Sequence, residues 1–354
     1  MDTGFIHLSR TRQLVGFALR MVCFLVVTFI ICDYALYVLT PKNDYGICSI
    51  LQYYEQSPET VDVLVLGTSV AYSGINTNIL WKEYGIAAFD LCGAEMPYWT
   101  IYYYLKEALK TQTPKLILLD AKPSIYALPY SKKGRVILST DGIRSPINRF
   151  SAIVASTHPN NTLSFLIGFP RVHGNYTNLT MEDFVFPPSN GGRGSSWKGY
   201  IEMNAVDEFM EPVVKWEEDP KEMQDKQRSY FEKILQLAHA RDIPLMLIGM
   251  PNPDYGYDHP YFLGLRSIAE DYGIVFLDYN IPGSLPGLNY ALHFADWQHL
   301  NVDGSVLFTE KMGRDLLERH SLPDHRGDKQ WESWEICADQ WLEQYSEWTK
   351  REKE

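Results

Sequence analysis

The stretch from Leu14 to Leu39, LVGFALRMVCFLVVTFIICDYALYVL, limits what this chain can become more than any other. It holds only two charges, Arg20 and Asp33. Apolar side chains at every angle of a helix cannot all face one core, so the segment needs an apolar solvent around it. As a helix, Met21 to Leu39 rises about 28 Å, close to the hydrocarbon thickness of about 30 Å. A second choice of span, Leu14 to Cys32, lets Arg20 snorkel inward and leaves Asp33 at the outer surface. A cleaved signal peptide fits less well, because no small-x-small cleavage site follows a core of suitable length. Arg10, Arg12 and Arg20 lie on the N-terminal side and only Lys42 lies close on the other. The positive-inside rule therefore predicts a single-pass protein of the cell membrane, with a cytoplasmic N-terminus and everything beyond Leu39 outside.

The remaining chain is long enough for a large folded domain. Of 354 residues, 45% are hydrophobic and 21% charged, which suits a packed core. The net charge of −12 argues against nucleic acid as a partner and against tight electrostatic binding to an anionic membrane. Cys48, Cys92 and Cys337 fall outside the span, an odd number with no Cys-x-x-Cys pair, so neither a disulfide framework nor a zinc site is expected. His173, His259 and His293 are scattered without metal-ligand spacing, and no cofactor is expected.

Apolar runs of strand length alternate with helical patterns. VDVLVL, IAAFDLC, KLILLD, PLMLIGM and IVFLD read as strands, the first as one buried on both faces. Between them lie NTNILWKEYG, with Asn76 or Thr77 as cap and Gly85 past its end, then WTIYYYLKEALKT, DPKEMQDKQRSYFEKILQLAHARD and YFLGLRSIAEDYG. NVDGSVLFTEKMGRDLLERH holds the last domain helix. The expected class is α/β with a parallel sheet. Ser124 to Glu218 shows no clear period and includes the Gly/Ser-rich PPSNGGRGSSWKGY. It is expected to be an insertion covering the C-terminal edge of the sheet, where α/β proteins bind ligands. The expected layout is a tail at 1–13, a transmembrane helix at 14–39, a linker at 40–60 and the α/β domain at 61–322 with its insertion at 124–218. A C-terminal amphipathic helix follows at 323–354. Its Trp331, Trp334, Trp341, Tyr345 and Trp348 fall near one face, which is expected to pack on the domain, with a partner or glycan platform as the alternative.

The first strand runs into Gly67-Thr68-Ser69. A serine there stands where ligands bind, and its hydroxyl becomes a nucleophile once a base takes its proton. Near the far end, HFADWQHLNVDG supplies Asp296 and His299, whose spacing lets the carboxylate orient one imidazole nitrogen while the other faces a serine. Gly67-Thr-Ser69-Val-Ala71 also nearly matches the nucleophile elbow of α/β-hydrolases. Only about twenty residues separate the membrane helix from the first strand, too few for the strands that precede that elbow.

Gly67-Thr68-Ser69, Gly93 after the second strand and Asp296-x-x-His299 together resemble the SGNH/GDSL hydrolase superfamily, over roughly Val61 to Leu317. The resemblance implies a flavodoxin-like three-layer fold. Ser69 would be the nucleophile, His299 the general base and then acid, and Asp296 the residue that orients it. The backbone N–H groups of Ser69 and Gly93 would form an oxyanion hole. The chain departs from the family in two places. Threonine replaces aspartate in the serine block, and LLDAKPSIYAL stands where a Gly-x-Asn-Asp block supplies a third donor. Asn252, in GMPNPD, is the substitute considered for that donor.

A membrane helix before such a domain resembles a narrower group, which D-alanylates teichoic acids or O-acetylates envelope polysaccharides beside a multi-spanning membrane O-acyltransferase. That resemblance implies acyl transfer to, or removal from, an envelope glycan. A stand-alone carbohydrate esterase and a non-catalytic glycan-binding or scaffold subunit remain alternatives. Tyr126, Tyr130, Trp197 and Tyr200 of the insertion are expected to roof the site, and His173 and Lys198 are further candidates for substrate contact.

Overall fold

The computed structural model describes residues 3–39, 47–167, 173–184, 197–207 and 219–351. Residues 40–46 of the expected linker, with Lys42, and 187–196 of the Gly/Ser-rich stretch lie outside these. So do 208–218 of the insertion and the side chain of Trp348.

Helix α1 (Thr3–Leu39) contains the apolar run. Its Gln13–Leu39 part has a mean hydropathy of 2.6 and is the one helix among the described residues long and apolar enough to cross a membrane. Every side chain from Phe17 to Tyr34 is exposed, whereas Val38 is buried. The cover at that end comes from the insertion: the Asn175 side-chain amide donates to the Leu39 carbonyl at 2.9 Å, and the Tyr34 hydroxyl donates to the Phe184 carbonyl at 3.2 Å. A helix end leaves carbonyls without donor partners, and Asn175 donates to one of them.

Beyond α1 and a short α2 (Ile47–Tyr53), strands and helices alternate as expected. The strands are β1 (Val63–Gly67), β2 (Ala88–Cys92), β3 (Leu116–Asp120), β4 (Leu245–Gly249) and β5 (Val275–Asp278). They form one parallel sheet in the order β2-β1-β3-β4-β5. This is a doubly wound order whose reversal, beside β1, opens the crevice where such sheets bind ligands. β1, β2 and β3 are buried at every position, which explains their continuous apolar runs.

Alternate residues of each strand serve opposite faces. Leu64, Leu66, Ile117 and Leu119 pack against α5 (Tyr98–Ala108), α9 (Asp225–His239) and α10 (Tyr255–Asp271). Val63, Val65, Leu116 and Leu118 pack against α3 (Ser69–Gly74), α4 (Thr77–Tyr84) and α11 (Val302–Arg319). Asn76 caps α4, accepting from the Asn78 and Ile79 N–H groups, and Gly85 ends it at φ 68°. That left-handed conformation is one glycine adopts without a Cβ penalty.

Helix α12 (Glu332–Arg351) lies against α4. Its Trp334 donates to the carbonyl of Ala88 on the edge strand β2 at 3.3 Å, and Trp341 stacks on Tyr345 at 5.0 Å. Ser49 and Lys198 bond the same strand at Asp90, so the outer edge of the sheet is covered rather than open.

The insertion, which shows no clear period in sequence, contains helices. Its first half folds as α6 (Lys133–Thr140), α7 (Pro146–Ser156) and α8 (Pro159–Leu166). α7 packs against the outer side of α5, where the Trp99 indole donates to Ser156 Oγ at 3.1 Å. Trp197 and Tyr200 are core residues instead of roof: Tyr200 is fully buried, 2.7 Å from Ser305 Oγ and packed edge-on to Trp341. Lys198 is buried too, its Nζ donating to Gln56 and Ser333 over the Trp334 ring.

Candidate active site

Ser69 is the first residue of α3, one residue past the C-terminal end of β1. Its neighbour Thr68 turns the chain. The Thr68 N–H and hydroxyl both donate to Asp120 Oδ2, at 2.9 and 2.6 Å, and Asp120 ends the adjacent strand β3. Burial raises the Asp120 carboxyl above its ordinary range, against the opposing pull of the bonds from Thr68 and the Lys122 N–H. Tyr126, just past β3, lies close to the Thr68 side chain. Thr68 is thus held by an acid from the next strand.

His299 and Asp296 sit in the loop between β5 and α11. Buried Phe294 and Leu300 pair as an isolated bridge, and the Ala295 N–H donates to the His299 carbonyl at 2.8 Å. These bonds close a tight turn around Asp296. Helix α11 is pinned to α3 through Thr309, whose hydroxyl donates to the Gly74 carbonyl at 3.2 Å and accepts from the Asn76 N–H at 2.8 Å. The end of α3 is thereby fixed against the body of α11.

Ser69, His299 and Asp296 meet in one line. His299 Nε2 lies 2.8 Å from Ser69 Oγ. His299 Nδ1 lies 2.9 Å from Asp296 Oδ1 and 2.8 Å from Oδ2. With Asp296 accepting at Nδ1, that nitrogen carries the proton and Nε2 is left as the acceptor for the serine hydroxyl. Burial by itself would raise the Asp296 carboxyl. The N–H groups of Gln298 and His299 and the imidazole outweigh it and hold the group below its ordinary range. The imidazole is 18% exposed and the carboxylate 42%, so the line opens to solvent.

The three expected oxyanion donors are placed differently. The Ser69 N–H stands in the first turn of α3, where no intrahelical acceptor exists. The Gly93 N–H instead extends the β1–β2 ladder, donating to the Gly67 carbonyl at 3.2 Å. The Asn252 side chain donates to Asp258 Oδ2 at 2.7 Å and accepts from the Asp254 N–H at 3.0 Å. Asp258 also pairs with buried Lys122 at 2.6 Å, and with Asp120 this group borders a small cavity beside Val70. Asn252 therefore belongs to a buried charged cluster rather than to a free donor position.

Sequence reasoning missed Asp120 and Trp297. Trp297 lies between Asp296 and His299 and is 54% exposed. An exposed tryptophan inside the DWQH stretch was the available signal. The Thr68–Asp120 bond had none, because its partners lie 52 residues apart. Among the described residues no group of His, Cys, Asp and Glu side chains is arranged to hold a metal ion.

No family model and no curated protein matches the chain. Among solved structures, it is similar to a "putative acylhydrolase" of Bacteroides fragilis. The two share 14% identity and a TM-score of 0.38 over 75% of this chain and 93% of that one.

Proposed function

We propose that this chain is a membrane-anchored serine enzyme of the SGNH type that handles O-acyl groups of a cell-envelope polysaccharide outside the membrane. The observation that carries the catalytic part is the hydrogen-bonded line from Ser69 Oγ through His299 to Asp296. Ser69 Oγ attacks the carbonyl of an acyl ester while His299 Nε2 takes its proton. The leaving oxygen then recovers that proton from the imidazolium, and the acyl group stays on Ser69. A water or sugar hydroxyl, deprotonated by His299, next attacks the acyl-enzyme and regenerates the serine. Asp296 steadies the imidazolium, and the Ser69 N–H faces the developing oxyanion.

The exposed Trp297 beside the line suits a flat sugar face, which supports a glycan as the second substrate. The anchor supports transfer, because it holds the domain near a membrane-borne acyl donor such as a multi-spanning O-acyltransferase. A stand-alone anchored esterase is the second reading. The solvent exposure of Asp296 favours it, since water reaches such a site readily.

A fluorophosphonate probe should label the parent chain at Ser69 and leave Ser69→Ala unlabelled. Ser69→Ala and His299→Ala should each remove acyl turnover, by about 10⁶-fold on the precedent of serine proteases. Asp296→Asn should cost about 10⁴-fold on the same precedent. Trp297→Ala should raise KM for a glycan acceptor and leave probe labelling intact. Full turnover in Ser69→Ala would end this reading. A deletion strain whose envelope glycan gains acyl groups would replace transfer by removal.

A further inference from the structure

The first half of the insertion displays apolar side chains that the described chain leaves uncovered. On α7, Asn148, Ala152 and Ala155 face inward, while Ile147, Phe150 and Val154 are 76%, 53% and 45% exposed. Their spacing of three and four places them on one stripe of the helix. α8 packs on α7 and adds exposed Leu163 and Ile167. Its one large inward residue is Phe165, which joins Ile153 and Val136 in a small core of their own. From Pro146 to Ile167 the only Lys, Arg, Asp or Glu is Arg149, and it is paired with Asp141 at 3.3 Å.

Three features say what covers this face. The 3-10 turns at His173–Asn178 and Met181–Phe184 follow α8 after a short connection and grip the end of α1. The grip falls at Tyr34 and Leu39, and the Tyr34 ring stacks on that of Tyr37 at 6.5 Å. Tyrosines near the end of a span mark the level of the membrane–water boundary. Met181, 82% exposed, is carried at that same level. Finally, residues 124–184 hold six Lys and Arg against three Asp and Glu, in a chain whose net charge is −12. The uncovered apolar face thus lies within a tract of basic balance, and basic residues near an inserted apolar stripe suit an anionic lipid surface.

We infer that the face built by α7, α8 and the turns at 173–184 is seated in the outer leaflet of the bilayer that α1 crosses. The inference rests on the anchoring part of the function proposed above. The lipid-exposed length of α1 then ends near Asp33, as in the Leu14–Cys32 span. The domain lies against the membrane instead of swinging on a tether.

The full chain tests this in its own membranes. p-Benzoylphenylalanine is placed at Phe150, Leu163 or Met181, and at Leu317 of α11 as an exposed control. Irradiation should give lipid adducts at the first three positions several-fold above Leu317. Alkaline carbonate extraction of the same membranes reads the anchor separately. Retention in carbonate without excess lipid adducts overturns the seated face and leaves the anchor standing. Adducts to a protein at these positions also overturn it and assign the face to a partner or a second copy. Release by carbonate removes the anchor, and the inference falls with it.

Discussion

Gly67 carries a hydrogen where a side chain would collide with the catalytic turn. A Cβ at this position would sit 2.5 Å from Asp120 Cβ and 3.0 Å from Asp120 Oδ2. Neither the strand backbone nor a Cβ can yield at that distance, so Gly67→Ala should push β3 away and loosen both Thr68–Asp120 bonds. Overpacking of this kind costs about 1–3 kcal/mol. Displacing a reacting group by about 1 Å costs about 10²-fold in rate. Thermal melts and fluorophosphonate labelling of Gly67→Ala should therefore show a modest fall in Tm and a much larger fall in labelling rate. Equal loss of both would mean that Asp120 supports the fold and not the serine. The triad candidates were legible because two short motifs declare residue types at fixed spacing. Asp120 was not, since any strand-ending aspartate looks alike until its neighbour is known. Gly93 and Asn252 carry the right chemistry, but only coordinates reveal that their N–H groups are already bonded.

Among the elements, the strands and their helices were legible for the reason that makes them stable. Continuous apolar runs can only be strands buried on both faces, and Asn76 and Gly85 supply start and stop chemistry for α4. The insertion helices escaped because α7 carries apolar residues toward α5 and also away from it. Ile147, Phe150 and Val154 fill the polar half of the pattern and erase its period. The aromatic face of the C-terminal helix was legible as one that packs on the domain, and Trp334 is buried, bonds the β2 edge and packs on Trp81. Trp334→Ala should cost about 3–5 kcal/mol, as large-to-small changes do in a core. Chemical denaturation will register this. A change within error would show that α12 is an appendage.

At the scale of the molecule, one buried charge sets a pH dependence. Both carboxylate oxygens of Asp90 are buried and without a hydrogen-bond partner among the described residues, and burial raises this group well above its ordinary range. Unfolded Asp90 releases its proton in the ordinary carboxylate range, while folded Asp90 keeps it. Its contribution to stability is thus full below that range and is lost as pH rises toward the folded value. Asp90→Asn should gain Tm relative to the parent as pH is raised from about 4 to 7, starting from the ordinary aspartate range near 3.9. A difference that stays flat with pH would mean that folded Asp90 is ionised. The largest consequence for the whole chain comes from a separation in sequence. Ser69 and His299 are bonded across 230 residues. Contacts so distant in sequence form late, after the loop-closure cost of the intervening chain has been met. In the proposed topology, the outer domain presents Ser69 long before His299 has been made. Until the ribosome has made α11, the serine has no base and is an ordinary alcohol. On the proposed mechanism, reactivity toward acyl esters waits for the synthesis of His299, and a truncated product that lacks it is chemically silent.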